Sequence, residues 1–79
     1  DEARQLLRTI RPSPPVYYNL ACAWALLGEA DRALELLARE LAENHPTPGA
    51  LARQKRWARE DPDLASLAED PRFLELTAP

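Results

Sequence analysis

The chain has 79 residues, a net charge of −3, and a composition that is 46% hydrophobic and 29% charged, which leaves room for one small domain. Fourteen alanines and fourteen leucines stand against one Val, one Ile, three Thr and five aromatics, so helix is favoured and a sizeable sheet is excluded. The acidic balance argues against a nucleic-acid partner held by phosphate neutralisation, and the single cysteine excludes an internal disulfide framework.

Asp1 to Arg11 reads as a first helix, with Ala3, Leu6, Leu7 and Ile10 at helical spacing and Asp1 and Glu2 favourable at its start. Pro12 ends it. Ser13 is the expected N-cap of a second helix, Pro14 to Leu27, with Pro14 in its first turn. Tyr17, Leu20, Ala21, Trp24 and Leu27 form its apolar stripe, and Gly28 stops it. A third helix, Ala30 to Asn44, carries Ala33, Leu34, Leu37, Ala38 and Leu41 on its inner face, with a favourable Glu35–Arg39 pair outside. The link around Gly28 is so short that the second and third helices must form an antiparallel hairpin.

Ala50 to Glu60 reads as a fourth helix, with Leu51, Gln54, Trp57 and Ala58 expected on its inner side. Asp61-Pro62 and Asp70-Pro71 each place a capping Asp before a Pro at a first helical position. The short helices that follow, with Leu64, Leu67 and Ala68 and then Phe73, Leu74 and Leu76, must fold back onto the rest to be stable. The eight prolines therefore punctuate the chain and do not signal disorder.

The prolines also reveal a period. Pro12 and Pro46 are 34 residues apart, as are Pro14 and Pro48, and the same offset aligns Leu7 with Leu41 and Tyr17 with Leu51. The tetratricopeptide repeat is a 34-residue helical hairpin with the pattern Trp-x2-Leu-Gly-x2-Tyr, Ala-x3-Phe, Pro. Here stand Tyr17-x2-Leu20-Ala21-x2-Trp24, Ala33-x3-Leu37 and, one residue late, Pro46. Tyr18-Asn19-Leu20-Ala21-Cys22 followed by Leu26-Leu27-Gly28 also resembles first helices of that family. The departures are Ala21 for Gly, Leu37 for an aromatic, and Glu40 where the family has a small residue, which suggests looser packing or an end position.

The resemblance implies an all-α helical-hairpin solenoid: one domain over residues 1–79, with one complete repeat at 14–47. Residues 1–12 resemble the tail of a preceding helix, 48–60 a degenerate first helix, and 61–79 the closing helices of bacterial tetratricopeptide arrays. Phe73, Leu74 and Leu76 are the expected cover of the last repeat. An ordinary array needs ~3 repeats for stability, so the chain is expected to be the end of something longer, to be held by its cap, or to self-associate through Leu6, Leu7 and Ile10.

The chemistry expected of this sequence is sparse. His45 reads as a helix-end residue serving the last carbonyls or the dipole, and mid-helix Cys22 as a small apolar residue. Together they cannot complete a zinc site, so neither metal nor cofactor is expected. No nucleophile–base set is visible, and no catalytic role is expected. Without an apolar span or a leader, the expected compartment is the cytoplasm and no membrane is expected.

In some tetratricopeptide domains an Asn matching Asn19 joins Lys and Arg in clamping a peptide carboxylate. Tyr18 and Cys22 replace the neighbouring elements here, so Asn19 is expected to make local hydrogen bonds. Tyr18, Cys22, Ala25 and Leu26 are expected to line a concave, apolar groove for a helix or peptide, unless the chain's own termini occupy it. Arg53, Lys55, Arg56 and Arg59 with Glu60 give +3 over residues 48–60, against −4 over 61–79. The two are expected to neutralise each other, the alternative being that Arg53 and Arg56 form a basic ridge for an acidic partner. The function expected is that of a protein–protein interaction module; a structural cap and a regulatory ligand-sensing module are the alternatives.

Overall fold

Proline, glycine and capping aspartates set nearly every boundary in the computed structural model, which describes residues 2–79. The expected contribution of Asp1 to the first helix lies outside the described residues. Among these residues all regular structure is helical: α1 (Glu2–Thr9), a 3-10 turn (Pro14–Val16), α2 (Tyr17–Leu26), α3 (Ala30–Glu43), α4 (Pro48–Glu60), a 3-10 segment (Pro62–Leu67) and α5 (Pro71–Leu76). They form an all-α domain measuring 38 × 26 × 17 Å.

Helix α1 stops at Thr9, short of the expected Arg11, because Pro12 biases the residues before it away from the α region. It buries no residue completely. Leu7 packs against the core, while Arg4 donates through Nη2 to the Leu27 carbonyl at 2.7 Å and through Nε to Glu29 at 3.0 Å.

Ser13 is extended, but its side chain caps nothing. The reason is local: Pro14 and Pro15 lack the N–H groups at the first two helical positions, and the Val16 N–H goes to the Ser13 carbonyl at 2.9 Å. The helix therefore opens as a 3-10 turn before becoming α2.

Helix α2 is buried on two sides, which explains why Cys22 and Ala25 join Tyr17, Leu20, Ala21 and Trp24 in the core. Helix α3 covers one side, and the Pro62–Leu67 segment covers the other. Ala21 and Ala33 are wholly inaccessible, and their small side chains let α2 and α3 approach closely. Gly28 closes α2 at φ +80°, with Glu29 N–H donating to the Trp24 carbonyl at 2.9 Å and Gly28 N–H to Ala25 at 3.0 Å. These are the two bonds of a Schellman closure, and they turn the chain straight into α3.

On α3 the inner face is Ala33, Leu34, Leu36, Leu37, Glu40 and Leu41. Ala38, expected inside, is only half-buried. Leu36 is inside instead, on the α1 side, where it lines a shallow hollow with Leu7, Leu20 and Trp24. Arg32 lies 4.9 Å over the Trp24 ring, and the Glu35–Arg39 pair forms at 3.4 Å on the outer face.

Glu40 is not a point of loose packing. It is 6% exposed, and its carboxylate takes hydrogen bonds from Asn44 and pairs with His45. Asn44 also donates to the Pro14 carbonyl at 2.8 Å, fastening the end of α3 to the start of α2. His45 thus serves a buried carboxylate and not the helix-end carbonyls, because that carboxylate needs more donors than the backbone around it supplies.

Helix α4 begins two residues earlier than expected. Thr47 accepts from Ala50 N–H at 3.2 Å, and Pro48 takes the first helical position. Ala58 is its one buried residue, Leu51 and Gln54 are half-buried, and Trp57, expected inside, is 64% exposed. The inner face centres on Leu51 and Ala58, where a small residue permits close approach to the Pro62–Leu67 segment. Trp57 sits about 100° further round the helix, at the step per residue of 3.6-fold geometry.

Both Asp-Pro starts form as expected. Asp61 accepts from Asp63 N–H and Asp70 from Arg72 N–H, each at 2.9 Å. The first start leads into a 3-10 segment that drives Leu64 and Leu67 into the core. In α5, Phe73 is buried, but Leu74 is 44% exposed and Leu76 half-buried. The cover is therefore Leu64, Leu67 and Phe73, because one short helix can turn only one face inward.

Helix ends recur at the interval found in the prolines. Helices α1 and α3 end at Thr9 and Glu43, α2 and α4 at Leu26 and Glu60, and Pro14 and Pro48 open the 3-10 turn before α2 and helix α4, each pair 34 residues apart.

Candidate functional site

Tyr18 and Cys22 are four residues apart on α2 and so share the face that looks toward the α4 end. There Asp61, ending α4, points back at them. The Tyr18 hydroxyl donates to Asp61 Oδ2 at 2.7 Å, and Cys22 Sγ lies 4.0 Å from the same oxygen. The other oxygen of Asp61 caps the segment that follows. One carboxylate thus ties α2, α4 and the C-terminal segment together.

That arrangement determines the local acid–base behaviour. Burial, followed by the negative charges of Asp61 and Asp63, pushes the Cys22 thiol up to about 11. Burial and then the hydrogen bond to Asp61 push the Tyr18 phenol far above its ordinary range. At neutral pH the thiol is protonated and a poor nucleophile. Cys22, Asp61 and Asp63 bring three ligand atoms within 4.8 Å of one another. An ion there would have to displace the bonds from Tyr18 and from Asp63 N–H and deprotonate a raised thiol, so this donor set is a poor fit to a metal.

Above this junction lies an open cleft of about 590 Å3 between α2 and α4, with Tyr18, Asn19, Leu26, Gln54, Trp57 and Asp63 among its walls. Leu26 is 66% exposed. The groove differs from the apolar one expected: its floor is polar, and its second aromatic comes from α4. Of the expected lining, Tyr18 is half-buried and Cys22 buried. Ala25 is sealed off, with Ser66 Oγ donating to its carbonyl at 3.2 Å from the C-terminal segment. The chain thus fills one end of its own groove. Asn19 is exposed and makes no side-chain hydrogen bond among the described residues, contrary to the local bonding expected.

The expected mutual neutralisation of the basic and acidic stretches does not form. Lys55 donates to the Ala78 carbonyl at 3.0 Å, and Arg59 to Thr77 Oγ1 at 2.9 Å and the Leu74 carbonyl at 3.3 Å. Carbonyls closing α5 offer these cations fixed partial negative charge close at hand. Of the acids, Asp70 pairs with Arg72 at 2.9 Å, and Arg72 also reaches Asp31 on α3 at 2.7 Å. The Arg72 hydrogen bonds hold the Asp70 carboxyl below the usual carboxylate range. Arg53 and Arg56 are exposed and form no ion pair among the described residues.

On the opposite side, Leu6 and Ile10 of α1 are exposed, 60% and 44%, whereas Leu7 is half-buried against the core. No helix among the described residues is long and apolar enough to cross a membrane. Comparison with protein-family models, with curated proteins and with solved structures found no match to this chain.

Proposed function

We propose that the chain is a non-catalytic interaction module of the tetratricopeptide type, which receives a peptide or helix from a protein partner in the cleft between α2 and α4. The observation that carries this reading is the pairing of Leu26 and Trp57, two large apolar side chains about two-thirds exposed, across one open cleft. Rigid helices hold both, so the ordering cost of binding falls on the partner. The 34-residue recurrence of helix ends, the Schellman closure and the complete burial of the small Ala21 and Ala33 support the solenoid architecture. The non-catalytic part of the reading is supported by the raised Cys22 thiol, a poor nucleophile at neutral pH.

A second reading, that the segment terminates a longer array, is favoured by Leu64, Leu67 and Phe73, which close the core as a cap would. A display library of random peptides separates the two. The interaction reading expects enriched peptides whose binding is lost in Leu26→Glu and kept in Ile10→Glu on the opposite side. A library that yields no binder, or binders lost only in Ile10→Glu, overturns it in favour of the cap.

A further inference from the structure

We infer that the segment this cleft receives is acidic as well as apolar, with its carboxylates on Arg53 and Arg56 and an aliphatic side chain against Trp57 and Leu26. The inference rests on the interaction reading above and names the partner's chemistry. Arg53, Arg56 and Trp57 stand at i, i+3 and i+4 of α4 and so share one face. Beside the cleft they line a second hollow of about 570 Å3, and Trp57 belongs to both. A segment lying on Trp57 therefore touches the apolar wall on one side and the two guanidiniums on the other.

The charge of this face is available because the fold does not use it. Lys55 and Arg59 are spent on the C-terminal carbonyls and the Thr77 hydroxyl, Asp61 and Asp70 are held by Tyr18, Arg72 and their own capping bonds, and Glu60, four residues from Arg56, forms no ion pair among the described residues. Beside the exposed indole, Arg53 and Arg56 thus present two guanidiniums that no carboxylate pairs among the described residues. Glu60 and Asp61 border the same hollow. They would repel a continuous polyanion, so the geometry fits a few spaced carboxylates on a peptide and disfavours a nucleic-acid backbone. Planar guanidiniums suit bidentate carboxylates, and the indole suits an aliphatic anchor.

The test uses fluorescein-labelled, amidated peptides of about twelve residues, one repeating Glu-Glu-Leu-Leu and one Gln-Gln-Leu-Leu, with oligo-dT as a third probe, all read by anisotropy on the whole chain. The Glu peptide is expected to bind about ten-fold more tightly than the Gln peptide, given two exposed charge pairs. Arg53→Glu with Arg56→Glu should remove that advantage. Arg53→Gln with Arg56→Gln should remove about as much with less perturbation, and circular dichroism should show both variants folded. Equal binding of the two peptides, abolished by Leu26→Glu, overturns the acidic preference and leaves the cleft as a binding site. Binding of neither peptide overturns both readings, and tighter binding of oligo-dT assigns the face to nucleic acid and overturns this one.

Discussion

Asp61 is the residue on which most depends. It ends α4, caps the segment that supplies Leu64 and Leu67, and accepts the Tyr18 hydroxyl across the groove floor. Replacing it with Ala loses an N-cap and leaves a half-buried phenol without its acceptor, for an expected cost of about 2 kcal/mol in urea unfolding. Asp61→Asn keeps the capping oxygen, turns the other acceptor into an amide donor and removes the charge, so the Cys22 thiol should move down from about 11, and its alkylation at pH 8 should speed up. An unchanged alkylation rate would mean that burial alone sets the thiol. The sign of the pH dependence follows from the same shift. The folded state keeps a proton that the unfolded thiol loses above its ordinary value of 9.0. This contribution to stability is complete below pH 9.0 and is lost as pH rises through about 11, with Tyr18 acting in the same direction. Denaturant midpoints should therefore fall across that alkaline window, and the fall should shrink in Cys22→Ala.

At the scale of elements, backbone chemistry made the boundaries legible. Gly28 announced the hairpin, and its φ of +80° is one that an L-residue adopts at a cost. Nothing lies within 4 Å of where a Cβ would stand, so Gly28→Ala should cost about 1 kcal/mol from backbone strain alone, measured as a lowered melting temperature with unchanged helix content. The Asp-Pro starts were equally readable, since a capping carboxylate and a fixed φ act within a few residues. Ser13 was not, because its capping role depended on N–H groups that the next two prolines lack. The exposure of Trp57 was illegible for another reason. Helical spacing brackets an apolar arc, but which residue in the arc faces inward depends on how closely the neighbouring element approaches, and Ala58 allowed the closest approach.

For the whole molecule, the decisive fact is which side chains close the core. Leu64 and Leu67 from a 3-10 segment are nearly inaccessible, whereas Leu74 of α5 is half open. Leu64→Ala should lower the unfolding free energy by about 3 kcal/mol, and Leu74→Ala by less than about 0.5 kcal/mol. Similar losses in both would show that α5, and not the segment before it, is the cover. Long-range pairing was the least legible level. Composition located the charges of residues 48–79 but not their partners, and the structure gives Lys55 and Arg59 to backbone carbonyls and the Thr77 hydroxyl where opposite charges were expected. The groove face was legible through Tyr18, Asn19 and Leu26, but its α4 wall, built from Gln54 and Trp57, emerges only once α4 has been placed.

The central claim is that the cleft between α2 and α4 is the binding face. An amide chemical-shift titration of the 15N-labelled chain with the Glu-Glu-Leu-Leu peptide tests it most directly. The account predicts saturable shifts at Asn19, Leu26 and Gln54 and at the Trp57 indole N–H, with the buried Trp24 indole and Leu6 and Ile10 of α1 unmoved. Shifts centred on Leu6 and Ile10, or none anywhere, would contradict it.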